Sequence, residues 1–70
     1  MTDIQARVIL AYAAHDMCCY RAHDDVHLSK NGMNYYLDRI QKDTGLNPRC
    51  FYDLVKLVEM ANDVRREENG

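Results

Sequence analysis

Turn-forming residues are scarce in this sequence, and that scarcity is the strongest constraint on its fold. The 70 residues include only 3 glycines and 1 proline, and Gly45 and Pro48 fall in one short segment. A fold of many short strands needs frequent turns, whereas long helices joined by short links do not. A chain of this length forms one domain at most. The sequence therefore predicts a single all-α domain over residues 1–70.

Capping residues and apolar spacing predict four helices. Thr2 or Asp3 can cap the first helix, because a side-chain oxygen there accepts a hydrogen bond from a free N–H of the first turn. Ser29 is a similar cap, and Gly45 lies where a helix ends in the left-handed conformation. Pro48 suits the first position of the last helix, where no N–H is needed. The predicted helices span residues 3–15, 18–25, 29–43 and 48–66.

The predicted fourth helix carries more apolar residues than one buried face requires. A helix on the surface of a small domain normally buries one apolar stripe, about 100° wide. We expect a second copy of the chain to cover the surplus, giving a homodimer. The residues predicted to form that interface are Phe51, Leu54, Val58 and Ala61. The alternative is that the other three helices wrap around helix four.

Charge and hydropathy narrow the function classes. The formal net charge is −2, whereas small nucleic-acid-binding domains are usually basic, so DNA binding requires a locally basic surface. No run of 18 apolar residues exists that would span a membrane. The first residues, MTDIQARV, lack the pattern of a secretory signal. We therefore expect a cytoplasmic protein with reduced thiols and no membrane partner.

Residues 15–31, HDMCCYRAHDDVHLSKN, hold all three histidines and two of the three cysteines. Cys19, His23 and His27 are spaced four apart and could line one helix face as metal ligands. A continuous helix through His27 conflicts, however, with the turn that the Ser29 cap requires. The segment also lacks a C-x-x-C pair. We therefore expect no metal and no cofactor, with Cys19 as a small core residue.

A nucleophilic cysteine is the catalytic alternative for the same segment. Cys18 or Cys19 could be activated by His23 acting as a base. A chain of 70 residues leaves little room for a substrate cleft, and no Gly-rich loop or oxyanion feature is visible. We therefore expect that the protein is not an enzyme.

The centre of the chain has the layout of a helix-turn-helix. A short helix, a link of a few residues and a longer capped helix form that motif, and its second helix lies in the DNA major groove. Leu28 would be the apolar plug of the turn, and Ser29 would open the second helix. Met33 and Leu37 would then point toward the core.

A family resemblance covers the same residues. The stretch LSKNGMNYYLDRIQKDTGLNP resembles the C-terminal helix-turn-helix of PucR/CdaR-type bacterial transcription regulators, whose pattern is close to V-H-R-N-T-L-x-Y-R-L-x-R-I-E-x-x-T-G-L-D. The matching residues are Asn31, Tyr35, Leu37, Arg39, Ile40, Thr44, Gly45 and Leu46, with Leu28 and Met33 as conservative matches. Downstream, NPRCFYDLVKLVEMA is similar to the last helix of small stand-alone relatives. The resemblance covers about residues 8–61.

The resemblance implies DNA binding and transcriptional regulation, usually by a dimer. The DNA-contacting residues that it implies are Ser29, Lys30, Asn31, Asn34 and Arg39. Lys30 stands where the family has an arginine that contacts phosphate or base, and Arg39 could reach the backbone. Tyr35 matches a family tyrosine and is expected to be structural, or alternatively to lie against the DNA backbone. Family members carry a sensing region ahead of this domain, whereas we expect this chain, which begins at Met1, to be a stand-alone relative unless it is an excised domain.

Three departures from the family pattern weaken the expected DNA binding, and the net negative charge together with the surplus apolar residues of helix four supports a rival interpretation. Gly32 replaces a threonine, Tyr36 replaces an arginine, and Asp38 stands where a basic residue is common. Between Lys30 and Asp43 there are three cations and two anions, a net charge of +1. Fewer phosphate contacts lower both the affinity for DNA and its salt dependence. The rival is a protein-interaction module that keeps the helix-turn-helix, docks helix four on a partner, and binds DNA weakly or not at all.

Overall fold

The computed structural model describes residues 1–69, with side chains described up to Glu67, and shows an all-α domain. The helices are α1 (Asp3–Ala14), α2 (Cys19–Ala22), α3 (Lys30–Thr44) and α4 (Phe51–Asn69). A 3-10 helix, His23–Val26, continues directly from α2. No strand occurs within residues 1–69. The predicted all-α fold with four helices is confirmed. None of the described helices is long and apolar enough to cross a membrane.

α1 is the central element of the domain. It packs against α2, the 3-10 helix, α3 and α4, whereas α4 packs against α1 alone among these elements. Because α1 has neighbours on several sides, its buried residues cover most of its circumference instead of a single stripe. These residues are Gln5, Ala6, Val8, Ile9, Ala11 and Tyr12. The other helices supply the rest of the core, which comprises Ala22, Val26, Met33, Leu37, Ile40, Leu54, Leu57 and Ala61.

The start of α1 is fastened to the end of α3. The Thr2 hydroxyl accepts a hydrogen bond from the Gln5 backbone N–H at 3.2 Å, and the Gln5 side-chain oxygen accepts one from the Thr2 N–H at 3.1 Å. This reciprocal capping box satisfies two N–H groups that the helix leaves free. The Gln5 amide nitrogen then donates to Asp43 Oδ2 at 2.9 Å. The buried Gln5 side chain therefore joins α1 to α3.

Two consecutive left-handed residues separate α1 from α2. Asp16 and Met17 have φ angles of 56° and 65°, and Cys18 precedes α2 without a side-chain cap. The second helix, predicted over residues 18–25, is a four-residue α-helix that tightens into a four-residue 3-10 helix ending at Val26. His15 Nε2 lies 2.6 Å from Asp25 Oδ2 and closes this corner.

Both predicted boundaries of the third helix depend on local chemistry and are confirmed to within one residue. Ser29 is the N-cap of α3, with its hydroxyl accepting from the Gly32 N–H at 3.0 Å. Gly45 is the C-cap, with a φ angle of 77°. The Thr44 hydroxyl donates to the Ile40 carbonyl at 2.7 Å and accepts from the Leu46 N–H at 3.1 Å, which closes the end of the helix.

The start of the fourth helix differs from the prediction. α4 begins at Phe51 instead of Pro48, and its first hydrogen bond runs from Leu54 N–H to the Cys50 carbonyl at 2.8 Å. The Asn47 side chain accepts from the Arg49 N–H at 3.0 Å, and the Asn47 carbonyl accepts from the Cys50 N–H at 2.9 Å. These bonds hold Pro48 in a turn that precedes the helix. At its other end, α4 continues to Asn69 instead of ending at residue 66.

The predicted interface on helix four is wrong for two of its four residues. Leu54 is 5% exposed and Ala61 is fully buried, because both pack in the core of the domain. Phe51 is 62% exposed, and Val58 is half-buried. Leu54 and Ala61 therefore face α1 and expose little or no surface to a second chain. The apolar surplus on α4 lies instead on the flank that carries Phe51 and Val55.

Replacing Gly45 with alanine should destabilise the domain by about 1–2 kcal/mol, because a side chain disfavours the left-handed conformation. A Cβ at this position would meet no atom within 4 Å, so the loss comes from the backbone alone. Denaturant unfolding measures this loss in the free energy of unfolding. Gly45→Asn should lose less, since asparagine tolerates this conformation. Equal stability of wild type and Gly45→Ala would contradict the assignment.

Acid should weaken the link between α1 and α3. The pKa of Asp43 is lowered, chiefly by the hydrogen bond from Gln5; burial opposes this effect and Arg39 adds to it. A carboxylate with a lowered folded pKa stabilises the fold above its usual value of 3.8 and loses that contribution as the pH falls through the folded pKa.

Thermal unfolding from pH 7 to pH 2 tests the effect. Asp43→Asn should be less stable than wild type at pH 7, and the difference should shrink below about pH 4. Asp63→Asn, at an exposed carboxylate on α4, is the matched control. A difference for Asp43→Asn that stays constant across the range would contradict the prediction.

Candidate nucleic-acid interface

The first turns of α3 present polar side chains to solvent on one face and apolar ones to the core on the other. Met33, Leu37 and Ile40 are fully buried. The exposed residues are Ser29, Lys30, Asn31 and Asn34. The structure therefore brings these four predicted DNA-contacting residues together at the start of the helix. We call this set the α3 entry face.

Arg39 lies apart from the α3 entry face. It follows Lys30 by nine residues, which corresponds to about 180° around an α-helix. Its Nε donates to Asp43 Oδ2 at 3.3 Å, the same carboxylate that binds Gln5. Both partners are exposed, so this ion pair is weak and can exchange for another anion. The fifth predicted residue therefore flanks the site near the end of α3.

The turn that leads into α3 is held by side chains as well as backbone. His23 Nδ1 lies 2.8 Å from the Leu28 carbonyl oxygen, so this nitrogen carries the proton and donates. His27 adopts the left-handed conformation with a φ angle of 57°. Leu28 is half-buried against the core, as expected of the turn plug. These contacts fix the direction in which α3 starts.

Ser29 and Gly32 occupy a tight corner. A Cβ on Gly32 would lie 3.3 Å from the Ser29 hydroxyl oxygen and 3.4 Å from Leu28 Cβ. The glycine therefore leaves room for the cap that starts α3. Because the Ser29 oxygen accepts the Gly32 N–H, its own hydroxyl hydrogen remains available to donate outward.

Lys30 is supported by an aromatic ring from α2. Its Nζ lies 4.9 Å from the centre of the Tyr20 ring, which is within cation–π range. Tyr20 is 70% exposed, so it extends the polar surface of α3 onto α2. Sequence reasoning missed Tyr20, because its contact with Lys30 depends on how the turn folds back.

Arg49 reaches across from the α3–α4 link to the outer face of α3. Its Nη1 donates to Asp38 Oδ1 at 2.9 Å, and its Nη2 donates to Asn34 Oδ1 at 3.1 Å. The Cys19 thiol is 3.7 Å from the same Asn34 oxygen. Sequence analysis placed Arg49 in helix four and gave it no role in the site. The structure places Arg49 before α4. We use the name Asn34 cluster for the group formed by Cys19, Asn34, Asp38 and Arg49.

Cys19 keeps its proton in this environment. Burial raises the pKa of the Cys19 thiol and neighbouring Cys18 adds to the increase, while Arg49 opposes it. A protonated thiol is a weak hydrogen-bond donor, which matches its position beside the Asn34 oxygen. Cys19 is half-buried, at the edge of the core, and not within it.

One of the two tyrosines of α3 differs from expectation. Tyr35, expected to be structural, is 61% exposed, whereas Tyr36 packs against the core. The rings meet edge to face, with centroids 5.3 Å apart. Tyr35 therefore belongs to the solvent face of α3, which agrees with the alternative that its ring is available to a partner.

The charges on α3 are partly neutralised in pairs. Asp38 pairs with Arg49, and Asp43 pairs with Arg39. Lys30 and Lys42 form no salt bridge with any side chain that the structure describes. Among residues 1–67, no three His, Cys, Asp or Glu side chains converge as a metal site. The available positive charge on α3 is therefore that of its two lysines.

A second surface feature is an apolar groove between the end of α1 and the start of α4. Its volume is about 460 Å³. The residues that line it are Ala13, Asp16, Met17, Phe51, Leu54, Val55, Val58 and Glu59. Asp16 and Glu59 are its only charged lining residues, so the α1–α4 groove is apolar with an acidic rim.

Comparison of the chain with protein-family models, with curated proteins and with solved structures gives no match to any of them.

Proposed function

We propose that the protein binds duplex DNA through the α3 entry face and acts as a transcription regulator. The observation that carries the proposal is the grouping of exposed polar side chains at the capped start of α3, directly after a short helix and a tight turn. In a helix-turn-helix this part of the second helix contacts base edges and phosphates. The similarity of residues 28–48 to PucR/CdaR-type regulators supports the same assignment.

The chemistry of the α3 entry face suits a polyanion. Lys30 carries a positive charge that no described carboxylate neutralises. The Ser29 hydroxyl has a hydrogen to donate, and Asn31 offers amide donors. The positive end of the α3 dipole lies at the same place and attracts phosphate. Asp38 is the carboxylate of α3 that is nearest in sequence to the α3 entry face, and its charge is neutralised by Arg49.

Titration of a fluorescent duplex at low salt tests the proposal, after selection of bound sequences from a random pool. Lys30→Ala should weaken binding to all sequences and reduce the salt slope by about one phosphate contact. Asn34→Ala should change which sequences are bound.

Lys56→Ala, on the exposed side of α4, is the charge-matched control and should leave DNA affinity unchanged. Binding that is indifferent to both Lys30→Ala and Asn34→Ala would refute the assigned surface. No binding by the wild type at low salt would refute the function.

The second part of the proposal is a homodimer through the α1–α4 groove. Phe51, Val55, Val58 and Asn62 follow a four-three-four spacing, which places them along one seam of α4. The first three are apolar: Phe51 and Val55 are exposed, and Val58 is half-buried. Helix-turn-helix proteins commonly bind two half-sites as dimers, so a second copy is the occupant that suits the proposed function. The interface differs from the predicted one by including Val55 and excluding Ala61, while Leu54 lines the groove with only 5% of its surface exposed.

Sedimentation velocity at rising concentration tests the dimer. Phe51→Glu should yield a monomer with unchanged helical circular dichroism, because it places a charge in the apolar seam without touching the core. Tyr52→Glu, at the next exposed position of α4, is the control and should leave the dimer intact. A wild type that remains monomeric up to about 100 μM, where weak self-association is already visible, would contradict the proposal.

A protein-interaction module is the second candidate. The observation that favours it is the same α1–α4 groove, together with the pairing of two arginines by Asp38 and Asp43. In that case the partner would fill the groove with apolar side chains and meet its acidic rim with basic ones. A wild type that binds no DNA and stays monomeric favours this candidate.

A further inference from the structure

The Asn34 side chain is oriented by its neighbours before any ligand arrives. Its Oδ1 receives the Arg49 Nη2 donor at 3.1 Å and faces the Cys19 thiol at 3.7 Å. A carbonyl oxygen has two acceptor sites, so both are occupied within the protein. Because the Asn34 oxygen is held in this way, the amide nitrogen is directed away from Arg49 and Cys19.

Arg49 is itself held in place. Its second guanidinium nitrogen donates to Asp38, one helical turn beyond Asn34, at 2.9 Å. The guanidinium is planar with donors in a fixed fork, so engaging two side chains of α3 fixes its orientation. Arg49 is therefore a positioning residue: it acts on the amide of Asn34 and not on the partner directly.

The amide nitrogen of Asn34 has no acceptor among the described side chains, and the residue is exposed. To a partner, Asn34 therefore offers two N–H donors and no free acceptor. This differs from an unconstrained asparagine, which offers both.

We propose that Asn34 acts as a donor-only reader of guanine, with its acceptor blocked by Arg49; this rests on the DNA binding proposed above. In the major groove guanine presents two acceptors, N7 and O6, and both suit an NH₂ group. Adenine is bound by asparagine through one donor and one acceptor, so adenine has to compete with Arg49 for Oδ1. Cytosine presents a donor, which the Asn34 amide has no acceptor to meet.

Two of the variants that test the inference, Asp38→Ala/Arg49→Ala and Asn34→Ala, keep the net charge constant, whereas Asp38→Ala raises it by one. Asp38→Ala/Arg49→Ala removes one charge of each sign and frees the Asn34 oxygen. Asp38→Ala alone keeps the hydrogen bond from Arg49 to Asn34. Asn34→Ala removes the side-chain amide that is proposed to contact the base. The measurement is the ratio of affinities for two duplexes that differ by G·C against A·T at the position selected by Asn34, taken from the random-pool selection.

Wild type and Asp38→Ala should prefer guanine over adenine by about tenfold or more, the usual worth of one base-specific contact. The double variant should lose most of that preference by gaining affinity for adenine, and Asn34→Ala should lose it by weakening the guanine complex. Lys42→Ala should weaken both complexes equally and keep the ratio. A guanine preference that is absent, or that survives in both the double variant and Asn34→Ala, overturns the inference while the proposed function stands.

A second measurement needs no DNA. In the free protein, the side-chain NH₂ resonances of Asn34 should shift and broaden in the double variant, because its oxygen loses a charge-assisted bond. Arg66→Ala, at a distant arginine of α4, is the control and should leave them unchanged. Unchanged Asn34 resonances in the double variant overturn the positioning role. A wild type that binds no DNA overturns the proposed function and the reader role with it.

Discussion

The burial of α1 on several sides is the constraint on which the rest of the domain depends. Each other helical segment is too short or too one-sided to form a core alone, and each packs on α1. Small residues such as Ala6 and Ala11 allow neighbours to approach closely, while Ile9 and Tyr12 fill the space between them. The capping box and the bond from Gln5 to Asp43 then set the position of α3 along α1. The orientation of the α3 entry face therefore follows from contacts made on the far side of α3.

The parts of the fold that were predictable from sequence are those decided by neighbouring residues. A serine hydroxyl caps the N–H three residues later, and the left-handed end of a helix favours glycine, so Ser29 and Gly45 were identified without knowledge of the fold. The prediction that Pro48 begins the last helix was wrong, because proline suits a turn as well as the first position of a helix. The Asn47 hydrogen bonds decide in favour of the turn.

The parts that were not predictable depend on packing between distant segments. The apolar residues of α4 cover more than one stripe, so periodicity alone could not show that Leu54 and Ala61 face α1 while Phe51 and Val55 do not. Within the site, exposure of Lys30 and Asn34 followed from the register of the buried residues. The role of Arg49 did not, because its partners lie 11 and 15 residues away and the path of the α3–α4 link brings them together.

The pairing of charges on α3 constrains the DNA recognition that is proposed for this chain. Both carboxylates of α3, Asp38 and Asp43, are held by arginines, so the helix can approach a polyanion although the chain carries a net charge of −2. The same pairing occupies two of the cations that would otherwise contact phosphates. Phosphate contacts supply affinity without regard to sequence, whereas base contacts supply discrimination. On a helix with two cations that no described carboxylate neutralises, Lys30 and Lys42, the proposed selectivity has to come from the base-facing groups. A fixed amide at Asn34 then contributes more to discrimination than it would on a strongly basic helix.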